Sequence, residues 1–222
     1  MFTKIFNLLP RWRLRYRLIF VVGMLSLNPI FGWDFAQLEE SLLKRFGPGP
    51  MPMFRDWKQL IGENRALADL EKLRLTNDFF NRRIAFTDDV IVWGVPDYWA
   101  TPLEIMGKGR GDCEDYSIAK YYALIEMGVP LAKLRLVYVK ANQGGVQQAH
   151  MVLAYYATPG ADPQILDNLN PRIQPASSRP DLSPIFSFNS AGLWQGTGNQ
   201  TSKSNLSRWQ DLLQRAREEG FK

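Results

Sequence analysis

Residues 107–130 read GKGRGDCEDYSIAKYYALIEMGVP, and the pattern in and around this stretch decides the fold. A glycine-rich turn leads into a helix-forming run at 112–127, which Gly128-Val129-Pro130 brings to an end. The apolar period then changes from helical to strand-like in three segments, LRLVYV (134–139), HMVLAYY (150–156) and QILDN (164–168). Turn-forming residues separate these segments. The order predicts an α+β fold in which one helix packs on an antiparallel meander.

Further helices are predicted on both sides of this unit. Apolar residues recur at helical spacing in three segments, at 33–45, 54–80 and 206–219. Thr101-Pro102-Leu103-Glu104 has the residues of a helix start. Residues 84–94 are predicted as an irregular link or a short strand, and 189–205, rich in Gly, Ser and Asn, as a loop. We therefore expect a single domain over 33–222 that ends in a loop and a helix.

The first 32 residues, 1–32, have the layout of a secretory signal. Lys4 and four arginines precede residues 18–27 (LIFVVGMLSL), an apolar run without charge. This run is shorter than the ~20 residues of a membrane span, and the preceding arginines disfavour a buried core helix. Ile30 and Gly32 match a cleavage motif only loosely, so removal of the leader near Gly32 and its retention as an inner-membrane anchor are the two alternatives. Both predict an exported protein.

The charge balance argues against a nucleic-acid partner. The chain has 27 Lys+Arg and 22 Asp+Glu, a formal net charge of +5. The basic residues of the leader account for the whole excess, so the remainder of the chain is neutral. The Trp and Tyr residues are scattered rather than interleaved with basic residues, which does not match a base-stacking surface.

The chain has one cysteine and one histidine, which restricts the chemistry it can perform. An internal disulfide and a four-ligand Cys/His zinc site are both excluded, and thiol–imidazole catalysis must use Cys113 and His150. Cys113 is predicted just inside a helix start, where N–H donors and the helix dipole favour a thiolate and can hold an oxyanion. The alternative is an inert buried cysteine, which the neighbouring Asp112, Glu114 and Asp115 disfavour.

These three acids create an electrostatic problem for a nucleophilic thiol. One carboxylate ~6 Å away at an effective dielectric of ~20 disfavours the thiolate by about 3 kcal/mol, or roughly two pKa units. Three carboxylates would outweigh a helix dipole worth ~1 kcal/mol. A hard divalent cation held by oxygen ligands would neutralise this charge, and Ca²⁺ suits an exported protein with acidic ligands. The alternative is a capping box with Asp112 as N-cap and Asp115 closing it, which leaves Glu114 without a role.

His150 and Asp167 are the candidates for the other two catalytic roles. His150 stands where a polar segment gives way to an apolar strand, a setting that suits a structural and a catalytic histidine equally. Asp167 is an acid in an otherwise apolar strand, which is costly unless the carboxylate has a partner. If the two strands pair across the turn at 158–160, imidazole and carboxylate can lie side by side. Cys113 would then be the nucleophile, His150 the base and Asp167 the group that orients the imidazole.

The sequence resembles the bacterial transglutaminase-like cysteine proteinases over most of residues 33–190. The motifs that carry the resemblance are WATPLE (99–104), GDCEDY (111–116), AHMVL (149–153) and LDNL (166–169). It implies a papain/transglutaminase-like fold, with N-terminal helices and a nucleophile helix packed on an antiparallel sheet. The triad that the resemblance implies is Cys113, His150 and Asp167. The calcium site that it implies consists of Asp112, Glu114 and Asp115.

The resemblance also implies a function. Adhesin-cleaving members of this family act in the periplasm on a very large surface adhesin, cut near its N-terminus between two alanines, which releases cells from a biofilm. An inner-membrane receptor for cyclic di-GMP sequesters the protease. The expected activity is therefore that of a calcium-dependent cysteine endopeptidase. Two alternatives remain, a transglutaminase-like acyl transfer to an amine and a catalytically silent, calcium-dependent binding module.

Overall fold

A computed structural model of the chain describes residues 32–196, 201–202 and 206–222, so the predicted leader lies outside the described residues except for Gly32. The helices are α1 (Phe35–Phe46), α2 (Met51–Asn64), α3 (Asp69–Arg83), α4 (Asp89–Trp93), α5 (Pro102–Lys108), α6 (Cys113–Glu126) and α7 (Ser207–Glu219). The strands are β1 (Ala85–Phe86), β2 (Arg110–Gly111), β3 (Leu134–Gln143), β4 (Val146–Tyr155), β5 (Gln164–Leu166), β6 (Gln174–Pro175), β7 (Leu182–Asn189), β8 (Gly192–Gln195) and β9 (Thr201–Ser202). Within these ranges, none of the helices has the length and apolar content needed to cross a bilayer.

The main sheet is built around a long hairpin. β3 and β4 pair antiparallel along their full length, with Leu134 opposite Tyr155. The chain reverses at Gly144 and Gly145, whose φ angles of 59° and 91° suit glycine far better than other residues. The seven strands lie in the order β6-β5-β4-β3-β7-β8-β9, and every neighbouring pair is antiparallel. The three predicted strands are therefore confirmed, and the first two extend further until they meet at the turn.

α6 is the central helix of the domain. It contacts β3 and β4 of the sheet as well as α2, α3 and α5, and these contacts bury most of its residues. Apolar side chains of α6 join the main core with those of the N-terminal helices and of β3 and β4. The predicted α+β arrangement, with N-terminal helices and a nucleophile helix on an antiparallel sheet, is confirmed.

Glu104 ties α5 to helices that are distant in the sequence. As the helix-start motif predicts, Thr101 and Glu104 form a capping box at the beginning of α5. The carboxylate of Glu104 is fully buried, and it accepts hydrogen bonds from Arg45 of α1 and Arg215 of α7. Burial alone would raise the pKa of Glu104, but these partners hold it below its ordinary value. One buried carboxylate thus joins α1, α5 and α7.

Two of the predicted segments differ from the structure in the N-terminal half. The helical pattern at 54–80 is divided between α2 and α3, because Asn64 donates to the Leu60 carbonyl at the end of α2 and acidic residues start α3. Residues 84–94 contain both the short strand β1 and the helix α4. The helix was missed because its five residues are too few to give a periodic apolar pattern.

The segment predicted as a loop at 189–205 contributes strands instead. β8 pairs with β7, with Asn189 opposite Gly192, and the hairpin continues into β9. Trp194 in β8 is only 8% exposed, and together with Leu193, which packs against the main core, it anchors a stretch that otherwise has the composition of a turn. The loop prediction was therefore wrong for these strands, since tertiary pairing outweighs local composition here.

Aromatic rings close the core near the ends of the described chain. Phe221 follows α7 and is 2% exposed. Its ring lies edge-on to Trp33, with centroids 4.7 Å apart, and also contacts Tyr122 of α6. Trp33 in turn stacks on Trp57 of α2. These contacts fix the C-terminal helix against the N-terminal helices.

Lys120 is an unusual member of the core. It lies two turns after Cys113 on α6, is fully buried, and its Nζ has no hydrogen-bond partner among the described residues. The Nζ lies 5.7 Å from the centroid of the Tyr116 ring. Burial lowers the pKa of Lys120 to about 7, although the charge of Asp167 opposes this shift. The ammonium is therefore costly to the folded state.

We expect Lys120→Met to stabilise the protein by about 1–4 kcal/mol at and below pH 7, because a buried charge is replaced by an apolar side chain of similar size. Between the folded pKa of about 7 and the ordinary lysine pKa of 10.5, the unfolded chain binds more protons, so wild-type stability rises with pH. The stability gained by Lys120→Met should therefore shrink as the pH rises toward 10.5. Urea unfolding across this range measures it, with Lys140→Met, at an exposed site, as the control. Equal stability of Lys120→Met and wild type at neutral pH would contradict the expectation.

Candidate active site

Cys113 occupies the first position of α6, directly after Asp112 at the N-cap. The preceding strand β2 pairs in parallel with β1, with Phe86 opposite Gly111, and this pairing fixes the chain as it enters the helix. Gly111 is needed because a Cβ there would lie 2.5 Å from a carboxylate oxygen of Asp115. The Gly-Asp-Cys sequence therefore positions the sulfur at the positive end of a buried helix of 14 residues.

His150 and Asp167 meet through the pairing of two strands. His150 lies in β4 and Asp167 directly follows β5, and these strands pair antiparallel with Leu153 opposite Leu166. The Nε2 of His150 lies 2.8 Å from Oδ1 of Asp167, and both side chains are almost fully buried. The pairing of these two strands, which the sequence left open, is thus present. It leaves Nδ1 as the other imidazole nitrogen that can exchange a proton.

The carboxylate of Asp167 has further partners. Its Oδ2 accepts a hydrogen bond from Nη2 of Arg179 at 2.7 Å, and its Oδ1 accepts one from the Leu169 N–H at 3.0 Å. Burial alone would raise the pKa of Asp167, but hydrogen bonds and charges from His150 and Arg179 lower it to about 2. Asp167 is therefore an ionised acceptor for a proton on Nε2.

Cys113 and His150 line the same open cavity, which has a volume of about 410 Å³. The backbone of Met151 is close enough to the sulfur to act on the pKa of Cys113, so the thiol lies near the residue that follows His150. Carboxylates make up much of the remaining lining, from Asp88, Asp89, Asp97, Asp112 and Glu114. A molecule bound in this cavity therefore meets a thiol, an imidazole and a strongly acidic wall.

The surroundings of the thiol favour its protonated form. Cys113 donates to Oε2 of Glu114, with a sulfur–oxygen distance of 2.9 Å. Burial, together with the charges of Glu114 and Asp112, raises the pKa of Cys113 well above its ordinary value. The electrostatic problem expected from the sequence is therefore real, and Glu114 and Asp112 are the acids that contribute most to it.

Asp115 belongs to a second group of acids behind the nucleophile. Carboxylate oxygens of Asp89, Asp112 and Asp115 lie within 4.8 Å of one another. Each of these carboxylates has a buried oxygen without a hydrogen-bond partner among the described residues. Burial is the main cause that raises the pKa of Asp89 to about 6, that of Asp112 to about 10 and that of Asp115 well above its ordinary value. Converging, unsatisfied carboxylate oxygens are the ligands that a hard divalent cation prefers, so these residues fit such an ion.

The capping-box alternative does not describe these acids. Asp112 lies at the N-cap of α6, but its side chain makes no capping hydrogen bond. The Oδ1 of Asp115 accepts from the Ala100 N–H at 2.7 Å. Glu114 is close to Asp112 and Cys113, with ligand atoms of all three within 4.8 Å, and faces the thiol. Asp112 therefore has carboxylate oxygens close both to the thiol and to the buried carboxylates of Asp89 and Asp115.

Two residues of this site were missed in the sequence. Asp89 starts α4, in the segment predicted as a link, and only the parallel pairing of β1 and β2 shows that α4 lies beside the nucleophile. Arg179 lies in a turn between β6 and β7, where a lone basic residue has no distinguishing pattern. The local signal for Asp89 was the Thr-Asp-Asp sequence typical of a helix start. No local signal points to Arg179, because its partner Asp167 is brought near by the sheet.

Comparisons with known proteins give the family of this chain. The family model of the bacterial transglutaminase-like cysteine proteinases, BTLCP, matches residues 59–181. No curated protein sequence matches the chain. Among solved structures, Legionella pneumophila LapG is 38% identical with a TM-score of 0.71, and the match covers 82% of this chain and 96% of that one.

Two further structures of the Legionella protein match equally well. The EGTA-treated form is 37% identical with a TM-score of 0.73 and covers 82% of this chain and 96% of that one. The calcium-bound form is 36% identical with a TM-score of 0.72 and covers 82% of this chain and 98% of that one. With a family model over more than half of its length and these structural relatives, the chain belongs to the bacterial transglutaminase-like cysteine proteinases.

Proposed function

We propose that this protein is a calcium-dependent cysteine endopeptidase with Cys113 as nucleophile, His150 as general base and Asp167 as the residue that orients the imidazole. The observation that carries the proposal is the buried hydrogen bond between His150 and Asp167 beside a cavity that Cys113 also lines. Membership in a family of cysteine proteinases supports the same reaction class.

The reaction begins when Nδ1 of His150 takes the proton of the Cys113 thiol, while Asp167 accepts the hydrogen bond from Nε2. The thiolate attacks the carbonyl carbon of the peptide bond, and the N–H groups at the start of α6 are the donors available to the oxyanion. His150 returns the proton to the leaving amine, which leaves an acyl group on the sulfur. His150 then removes a proton from water, which attacks the thioester and releases the acid product and the thiol.

We propose that calcium is bound by Asp112, Glu114 and Asp115, as expected from the sequence, together with Asp89. The unsatisfied oxygens of Asp89, Asp112 and Asp115 support these three ligands, whereas Glu114, whose Oε2 accepts from the thiol, is included because the family resemblance implies it. A calcium-bound form of the Legionella relative supports the choice of metal. When bound, calcium supplies positive charge that favours the thiolate. The chain's own contribution is to hold Asp112 between the buried acids and the thiol.

For the substrate, we propose a large surface adhesin that is cut near its N-terminus between two alanines, with release of cells from a biofilm. We propose a periplasmic location and sequestration by an inner-membrane receptor for cyclic di-GMP. These proposals rest on the family resemblance, and the likeness to LapG over most of the chain supports them. The cavity that Cys113 and His150 line is open, as an endopeptidase requires.

The test is to incubate the purified protein with the N-terminal region of a large surface adhesin, in calcium and in EGTA. We expect cleavage in calcium, inhibition by EGTA and recovery when calcium is returned. Intact product masses distinguish the reaction types, because hydrolysis adds one water across the two fragments, whereas acyl transfer to an amine joins chains. Binding without cleavage in calcium would instead support the binding-module alternative and contradict the proposal.

A further inference from the structure

Asp167 is held from two sides inside the protein. His150 contacts Oδ1 and Arg179 contacts Oδ2, at 2.8 and 2.7 Å respectively, and none of the three side chains is more than 4% exposed. A carboxylate with both oxygens occupied in this way cannot rotate about its terminal bond without breaking a buried hydrogen bond. The Leu169 N–H also donates to Oδ1, but Arg179 is the partner of Oδ2, so the orientation of Asp167 toward the imidazole depends in part on Arg179.

Arg179 is itself fixed by a second acid. Its Nε and Nη2 donate to the carboxylate of Asp181 at 2.9 and 2.8 Å, and its own N–H donates to the Ala176 carbonyl. Asp181 is partly exposed, with 42% of its side chain accessible, so this end of the network reaches solvent. The guanidinium thus bridges the partly exposed Asp181 and the buried Asp167. A planar group with several donors can bind both carboxylates at once, whereas a lysine ammonium cannot reproduce this geometry.

The other charged groups near Asp167 do not share this role. Lys120 contributes a charge interaction, but its Nζ has no hydrogen-bond partner among the described residues. Asp181 acts on Asp167 through Arg179. Of Lys120, Asp181 and Arg179, only Arg179 donates a hydrogen bond to Asp167. Arg179 is therefore the one of these three charged groups that can fix the orientation of the carboxylate.

We propose that Arg179 is a positioning residue for the catalytic triad, holding Asp167 so that its Oδ1 fixes the proton of His150 on Nε2. This inference rests on the proposed function, because it assigns the tautomer that leaves Nδ1 to accept the thiol proton. Without Arg179, the buried Oδ2 loses its partner, and the carboxylate turns or takes up a proton to satisfy it. His150 then loses its fixed tautomer, and proton transfer from Cys113 slows.

The single histidine of the chain makes a direct test feasible. Protein labelled with ¹⁵N-histidine and prepared without a histidine tag gives one imidazole, whose tautomer is read from its two nitrogen shifts by NMR. We expect wild type to show the Nε2–H form, Arg179→Gln to show a mixture of both tautomers, and Arg179→Lys to lie between them. Arg65→Gln is the matched control, since it removes an arginine from the buried carboxylate of Glu126 on a distant part of α6.

Activity supplies a second readout. In Arg179→Gln we expect kcat to fall by roughly 10–100-fold with little change in KM, less than the ~10⁴-fold loss when the tautomer-fixing carboxylate itself is altered. A folded Arg179→Gln with a pure Nε2–H tautomer and wild-type kcat would overturn the proposal. If that variant does not fold, Arg179→Lys decides by the same criteria. An Nδ1–H tautomer in wild type would also overturn it.

These measurements separate the inference from the proposed function. If wild type has the Nε2–H tautomer and the Arg179 variants lose it, Arg179 positions the pair even where no substrate is cleaved. If wild type cleaves the adhesin fragment but the Arg179 variants keep both tautomer and kcat, the protease assignment stands and the positioning role is wrong.

Discussion

Replacing Cys113 with alanine is expected to abolish cleavage of the adhesin fragment while the protein stays folded. The sulfur forms the acyl intermediate, and loss of the nucleophile from a catalytic triad costs about 10⁶-fold in kcat. The cysteine side chain is small and only partly buried, so its removal deletes little packing. Cleavage rates measure the effect, and thermal unfolding verifies the fold.

Ser207→Ala is a suitable control for this variant. Ser207 holds the first position of α7, as Cys113 does in α6, but it lies outside the catalytic cavity. We expect wild-type cleavage from the control. Full activity in Cys113→Ala would end the proposed mechanism, whatever the control does.

Alkylation of Cys113 gives an independent measure of the same chemistry. In calcium at neutral pH, we expect iodoacetamide to react quickly with wild type and slowly with His150→Gln, because the imidazole can no longer take the thiol proton. The chain has one cysteine, so the mass gain reports on this residue alone. Equally slow reaction of both proteins would indicate an idle thiol and favour the binding module.

Asp115→Asn is expected to remove both the stabilisation by calcium and the calcium-dependent activity. Binding to the folded state alone adds about 2.7 kcal/mol of stability at a calcium concentration 100 times the Kd. Asp115 is fully buried and has an oxygen without a partner among the described residues, so this oxygen is available to coordinate a cation. In EGTA the variant should be no less stable than wild type, because a buried acid has been replaced by a neutral amide.

The control for this variant is Asp88→Asn. Asp88 lines the same cavity next to Asp89, but it is exposed and lies outside the group of three converging carboxylates. Thermal unfolding in calcium and in EGTA should give the same difference in Tm for Asp88→Asn as for wild type. A wild-type calcium response in Asp115→Asn would show that the ion is held elsewhere.

The parts of the fold that could be predicted are those with local signals. α6 has a glycine-rich entry, a long apolar run and a Gly-Val-Pro stop, and β3 and β4 have a clear strand period, so the order of helix and sheet follows from the sequence. β8 and α4 could not be recognised in this way. β8 is held by pairing with β7 and by one buried tryptophan, and α4 is too short for a period to emerge.

The residues of the candidate site likewise include some that have a signal in the local sequence and some that have none. Cys113 and His150 are the single residues of their kinds, and Asp167 is a conspicuous acid in an apolar segment, so composition and pattern suffice to select them. Asp89 and Arg179 reach the site only through pairing of β1 with β2 and of the main sheet. The sequence also cannot separate acids that face the sulfur from acids that point behind it. That separation is a matter of helix rotation, which directs Glu114 to the thiol and Asp115 to Ala100.

The contact between Trp33 and Phe221 also limits how short a working fragment can be. A recombinant version that began at residue 36 would lose Trp33 together with the Asp34 carboxylate that caps α1, and one that ended at 219 would lose Phe221. Either deletion opens the same aromatic cluster from opposite ends of the polypeptide. Boundaries for expression and crystallisation should therefore be chosen outside both rings.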